Sequence, residues 1–453
     1  MNTLKVGHAQ TNINPPLGIG IEGYYVPRYA KGFLDDMLVS ALALQCGEQT
    51  VIMVSADHIG FGIQYPRYIE AIAKAAGIPA ENVYLTCTHT HTGPFVRPGF
   101  GFDSDPDIIN TYADFVENRL ADAAVLAMND LKNARMGFIV GYAPERVAYI
   151  RLYKMKDGSA MTCPPVGDPN IDHPIGQLDQ RVNVLRFDRE DGQTIVLYNY
   201  GVHSDTIGGE MVSPDFAGWV RRTIDKALDG VKAIYFPGCQ GDVGSTNVHP
   251  SGGDMNDTEI SFDNEMKSPG MARFVGRALA GTILQVFDKV EYIDVDKLNI
   301  LHKTVQVKSN KPTADDDMEK AHLYKQLHDE GRDAEIPFEA MELTTVIAEA
   351  NRLVRLENGP DFFELGITGL QIGSVAFVGF PGEPFTDIGR QTKTAEGWDM
   401  ILPCCITNGY KGYFPTPEAY AAGGYETRGS NYHCSVADTL IAGAKELLAE
   451  LKK

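Results

Sequence analysis

The sequence lacks any apolar run of the roughly 18–20 residues that a helix needs to cross a bilayer. Its first residues, MNTLKVGHAQ, also lack the apolar core of a secretory signal. We therefore expect a cytoplasmic protein without a transmembrane segment. If a leader has been removed, a secreted or periplasmic protein is the alternative.

Basic residues are scarce relative to acidic ones. The chain has 40 lysines and arginines against 60 aspartates and glutamates, which gives a formal net charge of -20. Such an acidic surface repels phosphate backbones and anionic lipid head groups. We expect no nucleic-acid partner, and firm electrostatic docking on a membrane is disfavoured.

Cysteine is also sparse. The seven cysteines form no CxxC pair, and Cys404 and Cys405 are adjacent. A disulfide scaffold needs more and better-spaced cysteines than this. The pattern predicts reduced, mostly buried thiols. Cys87 has no identified base and is expected to be a core thiol rather than a nucleophile.

What the chain does contain is typical of a globular α/β protein. Hydrophobic residues make up 43% of it, enough for a large core. Residues 51–56 predict a buried strand, residues 66–76 a helix and residues 82–88 a second strand, a βαβ unit. We therefore predict a mixed α/β fold in which a largely parallel, buried sheet is flanked by helices.

Other segments repeat this pattern, and no clean linker divides them. We predict one domain over residues 1–453, with a helical insertion at about 313–357. Further predicted helices cover 106–128, 213–228, 318–330, 338–356 and 436–451. Further predicted strands cover 194–200, 231–236, 365–372 and 374–380, the last two paired around Gly373.

Polar clusters follow five of the predicted strands. They are Asp57-His58, residues 88–94, residues 203–205, residues 237–242 and residues 381–384. In open α/β sheets, ligand sites form at the carboxyl ends of strands. We therefore predict one shared active-site pocket at this edge of the sheet.

Two histidines in the second cluster, His89 and His91, lie two residues apart. If the strand continues through them, both side chains lie on one face. Two imidazoles suit a metal ion, or one ligand beside a general acid–base, whereas a pair of hydrogen-bonded loop histidines is the structural alternative. Zinc at catalytic sites commonly takes three protein ligands, which His89, His203 and Glu383 would supply.

Three other features have a structural and a functional interpretation. The loop 239–247 either fixes its backbone through Asp242 or faces a substrate with Asp242 and Ser245. The tyrosines of residues 408–425 either pack or donate hydrogen bonds to an oxyanion. Arg146 and Arg151 are either edge residues or ligands for a polarised carbonyl.

These clusters, in this order, resemble the N-terminal catalytic domain of the neutral, non-lysosomal ceramidases. The likeness starts at Val6-Gly7-His8 and covers nearly the whole chain. Residues 88–94, THTHTGP, are similar to the family's HTHSGP. His203 followed by Ser213-Pro214-Asp215 resembles the second histidine region, Pro381-Gly382-Glu383 its PGE, and residues 408–426 its closing tyrosine-rich segment.

The resemblance implies a zinc-dependent amide hydrolase. Carried over by motif, His89, His203, Glu383 and Tyr413 hold zinc. His91, Tyr425 and Arg151, with Arg146 as the rival arginine, stabilise the oxyanion and protonate the leaving nitrogen.

The chain departs from the family pattern in two places. The family's GDVSPN has a serine where this chain has Gly244, and Ser245 is displaced by one position. The chain also ends soon after the tyrosine-rich segment, which predicts the catalytic domain without the family's C-terminal immunoglobulin-like domain. The expected partner is a small-molecule or lipid-like acyl substrate, smaller and more polar than ceramide. An ester, lactone or phosphoester hydrolase, or a non-catalytic ligand-binding homologue, is the alternative.

Overall fold

The computed structural model describes residues 3–97 and 105–453, and its elements alternate between strands and helices along the chain. The described strands, in chain order, are β1 (Lys5–Asn12), β2 (Gly32–Phe33), β3 (Leu38–Cys46), β4 (Gln49–Ala56), β5 (Val83–Cys87), β6 (Lys132–Tyr142), β7 (Tyr149–Ile150), β8 (Leu152–Met155), β9 (Ala160–Thr162), β10 (Ile171–Pro174), β11 (Arg181–Arg189), β12 (Thr194–Tyr200), β13 (Met211–Val212), β14 (Val231–Pro237), β15 (Val243–Gly244), β16 (Glu259–Ile260), β17 (Met266–Lys267), β18 (Glu291–Ile293), β19 (Leu298–Lys308), β20 (Phe362–Ile372), β21 (Val375–Gly379), β22 (Glu383–Pro384), β23 (Met400–Cys404) and β24 (Tyr413–Phe414). The described α-helices are α1 (Tyr65–Ala76), α2 (Pro106–Asn129), α3 (Asp215–Ala227), α4 (Pro269–Val286), α5 (Met318–Asp329), α6 (Ala340–Glu357), α7 (Thr386–Thr392), α8 (Pro417–Ala422), α9 (Tyr425–Gly429) and α10 (Val436–Leu451).

Two sheets form the centre of the molecule. The larger sheet has the order β14-β12-β11-β6-β1-β3-β4-β5, with β18 also paired to β6. The smaller sheet has the order β19-β20-β21-β23. Helices flank these sheets, which confirms the predicted mixed α/β class.

Side-chain alternation along the strands generates four layers. In β3, Leu42 and Leu44 join a core shared with strands of the smaller sheet, such as Leu370 of β20. Ala41 and Ala43 of β3 face the opposite way, into a core shared with α1 and α2. Because successive side chains point to opposite faces of a strand, one apolar run fills two cores. Helices α1 to α4 cover the outer face of the larger sheet, and α7 and α10 cover that of the smaller one.

The predicted predominance of parallel pairing is wrong. In the larger sheet only the β4–β5 and β12–β14 pairings are parallel, and the remaining pairings among its described strands are antiparallel. The reason is that several neighbouring strands are joined by tight hairpins. Between β3 and β4, for example, only Gly47 and Glu48 intervene, and Gly47 takes a φ of 61°. Such short turns force antiparallel pairing.

The parallel pairs are nevertheless the ones that matter for the strand-end prediction. They are β4–β5, β12–β14 and, in the smaller sheet, β21–β23. Each places two carboxyl ends side by side. Four of these six strands, β5, β12, β14 and β21, run directly into the polar clusters around His89, His203, Asp242 and Glu383.

The long predicted helices are present. Helix α1 has a proline in its first turn and ends at Gly77, which has a φ of 68°, as a left-handed C-cap requires. Helix α3 is preceded by Ser213, whose hydroxyl accepts from the Asp215 amide at 3.0 Å. Helix α10 has the predicted bounds, but Ser435 makes no side-chain capping hydrogen bond there. No described helix is both long and apolar enough to span a membrane.

Helices α5 and α6 lie between two strands that pair with each other. The register joins Lys308 of β19 to Phe362 of β20, so residues 309–361 leave the sheet and return to it. These two helices form a small apolar cluster of their own, which includes Tyr324 and Leu353. Both helices fall within residues 313–357, and the assignment of that range as a helical insertion stays a prediction.

All seven cysteines are free thiols. Six are buried, and Cys434 is partly exposed. Cys87 lies in the core with its thiol 3.6 Å from the hydroxyl of Tyr65, and burial raises its pKa well above the ordinary thiol value. The predictions of reduced thiols and of a core role for Cys87 are confirmed.

Gly201, just after β12, marks a point where two chain segments touch. A Cβ atom at Gly201 would lie 2.2 Å from the carbonyl oxygen of Cys239. Gly201→Ala should therefore destabilise the protein by about 1–3 kcal/mol through overpacking, measured by urea unfolding. Gly281→Ala is the matched control, because Gly281 is an exposed position of α4 and nothing lies within 4 Å of its added Cβ. The control should be neutral or stabilising by up to about 1 kcal/mol, and equal effects in both variants would contradict the account.

Candidate active site

Three strand ends from both sheets bring polar side chains to one buried point. His89 follows β5, His203 follows β12, and Glu383 begins β22 after β21. The Oε2 atom of Glu383 lies 3.2 Å from Nε2 of His89 and 3.1 Å from Nε2 of His203. The exposed fraction of each side chain is 2% or less. Residues more than 100 positions apart thus meet within bonding reach of a common point.

The backbone fixes the orientation of both imidazoles. Nδ1 of His89 lies 2.7 Å from the carbonyl oxygen of Ile59, and Nδ1 of His203 lies 2.9 Å from that of Gln240. A carbonyl oxygen accepts only, so each Nδ1 carries the proton. In the neutral form of each ring, Nε2 then carries a lone pair directed at Glu383. Burial lowers the pKa of His89, but the neighbouring Glu383 carboxylate raises it above its ordinary value. This arrangement, in which the outer nitrogen donates to a carbonyl, is the usual one for metal-ligating histidines.

The residues at this point fit a bound cation. Among the described residues, His203 Nε2 and Glu383 Oε2 are buried without a hydrogen-bond partner, although they lie 3.1 Å apart. Burial lowers the pKa of His203 to about 4, which keeps its imidazole neutral. Burial opposes ionisation of Glu383, but the neighbouring imidazoles hold its pKa well below the ordinary value. Neutral imidazole and ionised carboxylate are the forms that bind zinc.

His91 adds a third imidazole to the group. Its Nε2 lies 3.4 Å from Nε2 of His89, and one nitrogen from each of His89, His91 and His203 falls within 4.8 Å of the others. Burial and the two neighbouring imidazoles hold the pKa of His91 well below its ordinary value. The geometry therefore allows His91 either to ligate an ion or to act as a base beside one.

His89 and His91 do not come together on one face of a continuous strand, as the sequence predicted. Strand β5 ends at Cys87, and His89 has a φ of 66° in the left-handed region. The extended spacing that would place His89 and His91 on one strand face is therefore absent. Left-handed backbone at a histidine is unfavourable and occurs often at functional sites. Here the turn itself brings the two rings to within 4.9 Å of each other.

The structure separates the two candidate arginines. We call His89, His91, His203 and Glu383 the cluster. Arg151 is buried beside it, with Nη2 2.8 Å from Oε1 of Glu426 and 3.4 Å from the hydroxyl of Tyr413. The same nitrogen donates to the carbonyl oxygen of Gly241 at 2.9 Å. Arg146 instead has a side chain that is 54% exposed and pairs with Asp254. Only Arg151 of the two lies at the predicted site.

Three of the four tyrosines in the aromatic segment also reach the cluster. The Tyr413 ring stacks near that of His203 at 6.4 Å, and Tyr413 pairs with Glu383 across the β22–β24 register. The Tyr425 ring lies 5.7 Å from that of Tyr413, and the Tyr410 ring 5.9 Å from that of His89. Tyr420 packs elsewhere, with its hydroxyl on the carbonyl oxygen of Tyr432.

The loop 239–247 does not present Asp242 and Ser245 to the cluster, as the functional interpretation expected. The Asp242 carboxylate accepts from both the amide and the hydroxyl of Thr386 at 2.7 Å, and burial raises its pKa to about 6. Asp242 therefore fixes the backbone where α7 begins, as the structural alternative expects. Ser245 lines a separate groove of about 530 Å³ rather than the cluster.

Gly244, at the position of the family's serine, faces the site. A Cβ atom there would lie 3.2 Å from Cδ of Arg151 and 3.2 Å from Oε1 of Glu265. Any side chain at this position would press on both groups. Gly244 thus leaves room for the Glu265 carboxylate beside Arg151.

A charged network next to the cluster was missed by sequence reasoning. Nζ of Lys267 lies 2.8 Å from Asp205, 2.7 Å from Asp263 and 3.2 Å from Glu265. The side chain of Lys267 is 3% exposed. Its ammonium group lies among three carboxylates that are close enough together to hold a metal ion. Burial raises the pKa of Glu265 to about 7. The alternation of charged residues at 263, 265 and 267 was the available signal, but it follows none of the strands predicted from the sequence.

A small cavity of about 50 Å³ connects these groups. Its wall includes His91, Arg151, Tyr425 and Glu265, and α6 of the helical insertion contributes Met341 and Thr344. The wall beside His91 and Arg151 therefore carries polar and charged groups, and helix α6 forms another part of it.

Comparison with solved structures places the fold. The chain superposes on a crystal structure of neutral ceramidase from Pseudomonas aeruginosa with a TM-score of 0.72 and 17% identity, covering 99% of this chain and 75% of that one. A structure described as a ceramidase complexed with C2 gives a TM-score of 0.70 and 16% identity, covering 99% and 76%. No protein-family model matches the sequence, and neither does any curated relative. The fold implied by the motif resemblance is confirmed.

Proposed function

We propose that this protein is a zinc-dependent hydrolase that cleaves an amide bond of an N-acyl compound. The observation that carries the proposal is the approach of Nε2 of His89 and Nε2 of His203 to within 3.2 Å of Oε2 of Glu383, with both Nδ1 atoms on backbone carbonyl oxygens. Two imidazoles and a carboxylate are a usual ligand set for catalytic zinc. Tyr413, paired in register with Glu383, is the proposed fourth ligand.

The surrounding residues fit the chemistry of acyl transfer. When bound, zinc supplies Lewis-acid polarisation of the scissile carbonyl and of water. In our proposal Arg151 and Tyr425 donate hydrogen bonds to the carbonyl oxygen as it gains negative charge. His91 takes the proton from the attacking water and passes it to the nitrogen as the carbon–nitrogen bond breaks. The proposal draws support from the ceramidase fold, which this chain shares.

The proposed substrate is smaller and more polar than ceramide. Pockets for drug-sized ligands have volumes of about 300–1,000 Å³, whereas the cavity beside His91 has about 50 Å³. The charged side chains of Asp205, Asp263 and Glu265 form part of its wall. An alkyl chain there would lie against charged side chains and leave their remaining hydrogen-bonding capacity unmet, which is costly. An acyl group of a few carbons with polar substituents avoids that cost.

A panel of chromogenic compounds tests the proposal. The zinc-loaded protein should release 4-nitroaniline from 4-nitroacetanilide faster than from the octanoyl anilide. Chelation should abolish the release and added zinc should restore it. Release from 4-nitrophenyl acetate alone would indicate an esterase, and from 4-nitrophenyl phosphate alone a phosphoesterase. Zinc bound without turnover of any compound would indicate a non-catalytic ligand-binding protein.

A further inference from the structure

The buried carboxylate of Asp205 faces Nδ1 of His91, on the side of the ring opposite His89. Its Oδ2 atom lies 3.5 Å from Nδ1 of His91, just beyond hydrogen-bond length. That Nδ1 has no hydrogen-bond partner among residues 3–97 and 105–453, although it is buried. The opposite ring nitrogen, Nε2, faces His89 at 3.4 Å. The ring thus lies between a carboxylate and the candidate reaction centre.

Asp205 is itself held in place from two sides. Its Oδ1 atom accepts from the hydroxyl of Tyr24, and its Oδ2 atom accepts from Nζ of Lys267 at 2.8 Å. Lys267 in turn donates to Asp263 at 2.7 Å. Because both oxygens have fixed donors, the Asp205 carboxylate cannot rotate freely. It presents an acceptor to His91 in one orientation.

The His91 backbone is restrained as well. Its amide donates to the carbonyl oxygen of Ser204 at 3.0 Å, and its own carbonyl accepts from Nη2 of Arg28 at 2.8 Å. The ring packs so closely on Gly23 that a Cβ there would lie 3.0 Å from Nδ1. These contacts fix the position of the His91 ring, whereas its proton can reside on either ring nitrogen.

We propose that Asp205 is a positioning residue that holds the Nδ1–H tautomer of His91 and so presents the Nε2 lone pair to the reacting centre. The mechanistic part of this inference rests on the proposed function, but the tautomer does not. The physical reason is that a fixed carboxylate accepts from one ring nitrogen only, and the proton is retained where it is hydrogen-bonded. Loss of such a carboxylate leaves a histidine in place with the wrong tautomer.

The test is the ring tautomer of His91, read from two-bond nitrogen–proton correlations in protein labelled with ¹⁵N-histidine. The His91 signals are assigned by their loss in His91→Gln. In the unaltered protein, with and without zinc, Nδ1 should be protonated and Nε2 should not. In Asp205→Asn an amide NH₂ replaces one carboxylate oxygen, so the proton should move to Nε2. Asp205→Glu should restore Nδ1–H at least in part.

Asp263→Asn is the matched control, because the Asp263 carboxylate contacts Lys267 and Ser261 rather than His91. It should leave the His91 signals unchanged. Asp205→Asn leaves Lys267 paired with two carboxylates, so we expect a folded protein. If it does not fold, Tyr24→Phe removes only the hydroxyl that orients Oδ1 and should shift the tautomer in the same direction.

Zinc binding and turnover separate this inference from the proposed function. Asp205→Asn should bind zinc like the unaltered protein, keep KM for 4-nitroacetanilide within about twofold and lose roughly 10²-fold in kcat. Protonated Nε2 in the unaltered protein, an unchanged tautomer in Asp205→Asn, or loss of zinc from that variant would overturn the inference. Absence of turnover in the unaltered protein would overturn the proposed function while leaving the tautomer assignment standing.

Discussion

We expect Glu383→Gln to abolish the zinc binding that we propose for this site. The Glu383 carboxylate is the acidic group at the cluster that lies within 3.2 Å of both His89 and His203, and glutamine keeps its shape without its charge. Loss of outer-shell partners alone costs metal affinity about 10–100-fold, so loss of this ligand should exceed 100-fold. Zinc content, measured by mass spectrometry after dialysis, should fall from about one ion per chain to near zero.

Glu265→Gln is the matched control for this experiment. Glu265 is also buried, at 6% exposure, but contacts Lys267 and the thiol of Cys163 instead of the two histidines. It should retain zinc. Added zinc should raise the melting temperature of this control and of the unaltered protein, but not of Glu383→Gln. Equal zinc content in both variants would show that Glu383 is not a ligand.

Replacing Arg151 with methionine will reduce both stability and turnover. Arg151 and Glu426 form a buried pair 2.8 Å apart, with exposed fractions of 7% and 1%. Removing one partner leaves an uncompensated buried charge, which costs about 3–5 kcal/mol. Loss of an oxyanion donor should also lower kcat for 4-nitroacetanilide by about 10²–10³-fold. Urea unfolding and steady-state kinetics measure the two effects.

The double variant Arg151→Met, Glu426→Gln separates these effects. It removes both charges of the pair, so much of the lost stability should return. The kinetic defect should remain, because the neutral amide of glutamine at position 426 does not replace the charged guanidinium at position 151. Recovery of turnover together with stability would show that Arg151 acts through folding alone. Zinc content should stay unchanged in both variants.

Much of this site could be predicted because strand ends are recognisable from local sequence. The apolar runs before His89, His203 and Glu383 identify buried strands, and parallel pairing brings their ends to one edge. Two of the five predicted junctions serve a supporting role instead. The carbonyl oxygens of His58 and Gln240 accept from His89 and His203, and such backbone contacts leave no side-chain signature in a sequence.

The remaining features depend on tertiary contacts that local patterns do not encode. The antiparallel majority of the larger sheet follows from hairpin turns such as Gly47-Glu48, whereas the βαβ pattern at β4 and β5 describes only one edge. The Lys267 network belongs to a segment without a strong periodic pattern. In the sequence, its charges are typical of a solvated surface. In the structure, Asp205 reaches Lys267 from a distant strand end and both side chains are buried.

Anomalous scattering from crystals grown with zinc, measured on both sides of the zinc absorption edge, tests whether His89, His203 and Glu383 hold the ion. We expect one strong peak about 2.0–2.2 Å from Nε2 of His89, Nε2 of His203 and a carboxylate oxygen of Glu383. No peak there would contradict this expectation. A peak confined to the carboxylates around Lys267 would contradict it equally.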